Sequence, residues 1–151
     1  MQLIDITPAA PDTLPSQPLA GPARVVQCPG IGALGRDEIL WAAGAERALF
    51  RILPEAGTGA SADGGTPVTL EGARAIVRLG IRVLGTDATG ILSRSNNPSA
   101  ARALLDAHGV VLLEGLALAD VPAGDYELIV LPRHQGGGIT VPVSAVLRVP
   151  E

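Results

Sequence analysis

VVLLEGLALADVPAGDYELIVLP, residues 110–132, decides the fold. VVLLEGLAL (110–118) reads as a strand, DVPAGD (120–125) as a turn and YELIVLP (126–132) as a second strand. The stretch therefore holds one buried strand and the first arm of a hairpin. What precedes it shows how the first strand pairs. IRVLGTD (81–87) is a strand. Before it, Leu70, Ala73, Ile76 and Val77 recur at helical spacing from Thr69, and Gly80 is placed to end that helix. Between IRVLGTD and VVLLEGLAL, Asn97 caps and Pro98 opens a second helix that runs to about Gly109. Strand–helix–strand–helix–strand implies parallel pairing.

Downstream, GGG (136–138) reads as a hairpin tip and ITVPVSAVLRV (139–149) as the last strand, antiparallel to its predecessor. Upstream, MQLIDI (1–6) is a short strand and ARVVQC (23–28) another. RDEILWAAG (36–44) is a short helix with acid in its first turn, AERALFRIL (45–53) a strand and PEAGTGASADGGTP (54–67) a loop. The Pro-rich PAAPDTLPSQPLAGPA (8–23) is expected to be irregular. The predicted fold is α/β: a mixed sheet with a parallel βαβαβ core and a C-terminal antiparallel hairpin, in one domain spanning residues 1–151, without internal repeats.

Composition removes several function classes. The chain is 47% hydrophobic but only 2% aromatic, so its core must be built from Leu, Val, Ile and Ala. Net charge is −4, which argues against a nucleic-acid surface or a basic membrane patch. All 11 cationic residues are Arg. Without Lys, Schiff-base catalysis, pyridoxal phosphate anchoring and a P-loop are excluded. The single Cys28 allows no internal disulfide and fits a reducing compartment. No apolar run approaches the ~20 residues of a membrane span, and MQLIDITPAAPD has neither the basic nor the apolar region of a signal peptide. The expectation is a cytoplasmic protein with no nucleic-acid or membrane partner.

Motifs that carry chemistry are sparse. GIGALG (30–35) matches the G-x-G-x-x-G of dinucleotide-binding folds, between a strand and a helix, with Glu55 past the next strand. Against it, Pro29 stiffens the turn, and Asp37 and Glu38 would repel a phosphate from the helix start. His108 and His134, the only histidines, show no metal-ligand spacing, and a catalytic zinc needs three protein ligands. His108 reads as a C-terminal helix cap, His134 as a loop residue and Cys28 as a small core residue. No G-x-S-x-G elbow is present, and the serines of LSRSNN (92–97) have no histidine nearby in sequence. Arg94 and Arg102 flank the second helix and are candidates to bind a carboxylate.

Glu114 is the one charge in GVVLLEGLAL (109–118). A lone buried carboxylate must shift, pair or bind a metal. Strand alternation would put it on the same side as Leu112 and Leu116. It has two readings: a strand-end carboxylate satisfied by backbone amides or an Arg, or an acid/base at the carboxyl edge of a parallel sheet, where ligands bind in such folds.

Taken together, TLEGARAIVRLGIRVLGTDATGIL (69–92), ARALLDAHGVVLLEGLALADVPAGDYELIVLP (101–132) and VPVSAVLRV (141–149) resemble the cyclase family of bacterial kynurenine formamidases (arylformamidases) and isatin hydrolases. LAGPARVVQCPG (19–30) and MQLIDIT (1–7) resemble two further strands of that family. The resemblance implies its swivelling β/β/α-like fold and its dimeric assembly. It also implies a role for Glu114, whose family equivalent is a ligand of a divalent metal. The other ligands come chiefly from an H-x-G-T-H-x-D segment between the first two strands. In that place this chain has PAAPDTLPSQP (8–18), without histidine. Where the family has a catalytic histidine stand Ala101 and Arg102, and the family's G-I-D-T-P-S has become GTDATG (85–90). The changes cluster at the chemistry while the core patterns persist, so the scaffold is expected to serve a reaction other than metal-activated hydrolysis.

The expected function is therefore a metal-independent small-molecule enzyme on this scaffold. It would perform ring closure, dehydration or isomerisation by proton transfer in specialised metabolism, with no cofactor. Carboxylates in apolar surroundings favour protonation and shuttle protons. That makes Glu114 and Asp87 the catalytic candidates, and Arg102, Arg94 and His134 the substrate contacts. Two alternatives stand: a non-catalytic metabolite-binding or scaffold protein, as homodimer or paired with a paralogue, and a metal-dependent hydrolase with an atypical site using Glu114, His108 or His134.

Overall fold

A computed structural model describes residues 3–6, 20–52, 67–88, 91–92, 95–132 and 143–149. Its elements in chain order are β1 (Leu3–Asp5), β2 (Gly21–Gln27), α1 (Arg36–Leu40), β3 (Arg47–Arg51), α2 (Leu70–Arg78), β4 (Val83–Thr86), α3 (Pro98–Ala107), β5 (Val111–Leu113), β6 (Gly124–Pro132) and β7 (Val143–Arg148). The strands form one seven-stranded mixed sheet in the order β1-β7-β6-β2-β3-β4-β5. β2, β3, β4 and β5 are parallel; β6 is antiparallel to both β2 and β7, and β1 is antiparallel to β7. The parallel core and the C-terminal antiparallel pair are as the sequence predicts.

The helices form where their caps are. The Thr69 hydroxyl accepts from Gly72 N at 2.9 Å and opens α2; Asn97 Oδ1 accepts from Ala100 N at 3.3 Å, with Pro98 following as the first helical residue of α3. Gly80 and Gly109, both at positive φ, follow the C-termini of those helices. Gly72 is required by contact: a β-carbon there would lie 2.1 Å from the carbonyl oxygen of Leu34. The start of α2 is thereby pressed against the bridge between Leu34 and Val68.

The core has two halves, one on each sheet face. On the helix side, Ala48, Phe50, Leu84 and Leu112 meet Ile39, Ala73, Ile76, Ala101 and Leu105. On the other, Val25, Leu49, Val83, Val111 and Leu113 continue into Tyr126, Leu128 and Leu147, and are covered by Leu116, Leu118 and Val121. β4 is buried along its whole length, as a central parallel strand should be.

Two expectations fail locally. The strand expected over 110–118 ends at Leu113. Gly115 takes φ +71°, its N–H donates to Ala88 O and that of Leu116 to Thr86 O, which turns the chain out of the ladder. Leu112 and Leu116 consequently belong to opposite core halves, not one side. Likewise β2 begins at Gly21, inside the segment expected to be irregular. Pro22 is tolerated because β2 pairs with β3 only from Arg24 onward, so the missing N–H has no ladder to break there. The GGG tip and nearly all of the 54–67 loop lie outside the described residues. Among the described residues, no helix is long and apolar enough to cross a membrane.

Candidate functional site

The four parallel strands end side by side, and their successors Cys28, Ile52, Asp87 and Glu114 line the carboxyl edge of the sheet. Polar groups there knit the strand ends together. Asp87 is buried, and its Oδ1 accepts from Ile52 N at 2.9 Å. The Thr86 hydroxyl donates to Ala88 O at 3.0 Å. Gln27 Nε2 donates to Val121 O at 2.6 Å. Glu114 is half-buried, and its Oε2 accepts from Ile91 N at 3.1 Å. Its Oε1 makes no hydrogen bond among the described residues. Among the described residues no buried side-chain oxygen or nitrogen lacks a partner, so Oε1 keeps access to space beside the edge.

The structure thus brings the two predicted catalytic carboxylates, Glu114 and Asp87, to the ends of adjacent strands. It does not join Arg102 to them. Arg102 is exposed on α3, while its neighbour Ala101 is the residue turned into the core. Arg94 and His134 lie outside the described residues. His108 is exposed at the end of α3, where its Nδ1 donates to Leu104 O at 3.0 Å, the capping role its position suggests.

Cys28 packs in the core as a small apolar residue. Its pKa is pushed up to about 12, first by burial and then by the negative charges of Asp87 and Glu38. The thiol is therefore protonated and unreactive near neutrality. GIGALG lies between β2 and α1 as expected, but Glu38 Oε1 already accepts from Gly35 N at 2.8 Å. The chain's own carboxylate occupies the amide that a pyrophosphate would use.

Sequence reasoning missed Arg51. It ends β3 at the same edge, is 9% exposed and makes no hydrogen bond or ion pair among the described residues. Alternation in RALFR was the available signal. Ala48 and Phe50 face the helices, so Arg47, Leu49 and Arg51 share the other face, and Arg51 is a charge closing an interior strand.

Among the described residues no three His, Cys, Asp or Glu side chains converge. Glu114 and Asp87 each commit an oxygen to a backbone N–H. That donor set does not fit a three-ligand catalytic metal site.

No protein-family model matches the chain. It is 40% identical over 149 residues to a kynurenine formamidase of Salinibacter ruber, covering 92% of this chain and 68% of the relative. A kynurenine formamidase of Bacillus cereus is 31% identical over 134 residues, covering 87% and 64%. The chain thus spans about two thirds of the length of these relatives. Among solved structures, a potential metal-dependent hydrolase with cyclase activity superposes with a TM-score of 0.70 at 26% identity, covering 87% of this chain and 67% of that one. In sequence and in sheet architecture alike, the chain belongs to the cyclase family that contains the kynurenine formamidases.

Proposed function

We propose that this chain is a metal-independent small-molecule enzyme in which Glu114 exchanges a proton with the substrate, in a ring closure, dehydration or isomerisation. Its relatives support a small-molecule enzyme of this family. The observation that carries the finer reading is the state of Glu114. One oxygen is anchored to Ile91 N, which fixes the carboxylate, and the other is left open at the strand edge. A positioned carboxylate with one free oxygen is what general acid–base transfer requires. Asp87 holds the ends of β3 and β4 in place beside it. The exposed Arg102 serves as an outer contact for substrate. The assembly is a homodimer, to be checked by light scattering.

The 40% identity to a kynurenine formamidase favours a second reading, amide hydrolysis with an atypical metal site. One experiment separates the two. A panel of N-formylkynurenine and related aromatic amides and acids is offered to the chain in EDTA and, separately, with zinc or manganese. The proposal expects turnover in EDTA that Glu114→Gln reduces by about 100-fold or more, within the usual range for an acid–base group. Turnover that appears only with stoichiometric metal, or that survives Glu114→Gln, overturns it. Absence of turnover on the whole panel, with ligand binding retained, points to the non-catalytic metabolite-binding protein.

A further inference from the structure

We infer that Arg51 is the anchor for a substrate carboxylate. The inference rests on the proton-transfer reading only for where the reacting end of the molecule lies. Four polar side chains are buried among the described residues: Arg51, Thr86, Asp87 and Ser95. Thr86 and Asp87 are hydrogen-bonded as described, and Ser95 Oγ accepts from Asn97 N at 3.3 Å. Among the described residues, the Arg51 side chain alone of the four has neither hydrogen bond nor ion pair. A guanidinium carries five donors and no acceptor. Leaving such a group buried and uncompensated is among the costliest arrangements in a fold.

The other end of the same strand supplies a control. Arg47 donates to Pro22 O at 3.4 Å and lies 3.8 Å from Glu46. One arginine of β3 is therefore satisfied within the chain and the other is not. Since no buried side-chain nitrogen among the described residues lacks a partner, the unbonded nitrogens of Arg51 hold the little exposure the residue keeps. The guanidinium faces an opening.

The register sets what fits. Gln27 pairs with Arg51, and Phe50 with Thr86, so Arg51 stands beside Asp87 and two strands from Glu114. Two interstrand spacings are about 10 Å. Arg51 lies on the face away from the helices and Glu114, bonded to Ile91, on the helix side, so a molecule held at Arg51 reaches Glu114 around the strand ends. The ligating group is a carboxylate, because a single planar guanidinium matches it in a bidentate pair. A doubly charged phosphate would meet one cation with the carboxylate of Asp87 at the end of the next strand.

The test uses the full chain labelled with 15N in arginine and titrated with sodium benzoate or with neutral benzamide. Benzoate is expected to move the Arg51 Nε–H resonance, assigned by its loss in R51K, and benzamide to leave it in place. Arg51→Gln should bind benzoate at least about tenfold more weakly. Without ligand, Arg51→Met should melt at or above the parent temperature, because it removes an uncompensated charge, and benzoate should no longer raise its Tm. Equal response to benzamide, unchanged benzoate binding in Arg51→Gln, or an Arg51→Met chain that melts lower or fails to fold would each overturn the proposal. Glu114→Gln should bind benzoate as the parent does. If Glu114→Gln abolishes turnover while the Arg51 variants bind benzoate normally, the anchor fails and the proton-transfer reading stands; the reverse result fails that reading and keeps the anchor.

Discussion

At the amino ends of the parallel strands, charge meets charge in water. Arg24 pairs with Asp125 at 3.0 Å and donates to Ala43 O, and Arg47 reaches Pro22 O, around a cleft of about 430 Å³. At the carboxyl ends the polar groups are buried or half-buried: Asp87 caps Ile52, Glu114 holds Ile91, and Arg51 has no partner among the described residues. The same sheet and the same residue types give two chemistries. An exposed pair is screened and replaceable. A buried group is fixed in place, and what it lacks within the described chain is open to a ligand. That difference favours the carboxyl edge for the proposed site, even though an open cleft lies at the other.

Three measurements break or sharpen the contrast. The largest effect is expected from Asp87→Ala. It leaves the Ile52 amide without its acceptor and should cost about 1–3 kcal/mol in urea unfolding; a smaller loss would make this edge no different from the solvated one. It should also bring the Cys28 pKa down, since Asp87 is one cause of its rise. Next comes pH. The Cys28 pKa is raised from 9.0 to about 12 in the folded chain, so folding favours the protonated thiol. Its contribution is fully present below pH 9 and is lost as pH climbs from 9 toward 12. The parent should lose stability over that window more steeply than Cys28→Ala, and parallel slopes would refute the shift. Smallest is Arg24→Ala at the amino edge, which breaks a pair whose Asp125 side is 72% exposed. It should change stability by only about 0.2–1 kcal/mol, and 0.5 M salt should erase most of that.

The fold was legible wherever local signals agreed with each other. Thr69 with Gly80, and Asn97 and Pro98 with Gly109, bracket their helices correctly, and the alternation of apolar runs with helical segments predicts the parallel core. Sequence alone misread the exit from β5, because Gly115 in an apolar run looks like one more strand residue until its left-handed backbone is seen. At the site, Glu114 stood out as a charge in an apolar run. Asp87 was legible only as a strand-end acid; its bond to Ile52 N spans 35 residues, and no spacing rule predicts it. Arg51 was hidden for the opposite reason. In a chain whose only cations are arginines, nothing local distinguishes one awaiting a partner from those already paired. That distinction is tertiary.

Among the described residues the sheet closes at each side with a strand of three residues, β1 and β5. Rims so short offer a passing chain only a couple of main-chain contacts. Among the described residues, ribbon-like growth of one molecule onto the next therefore finds only a short template at either rim.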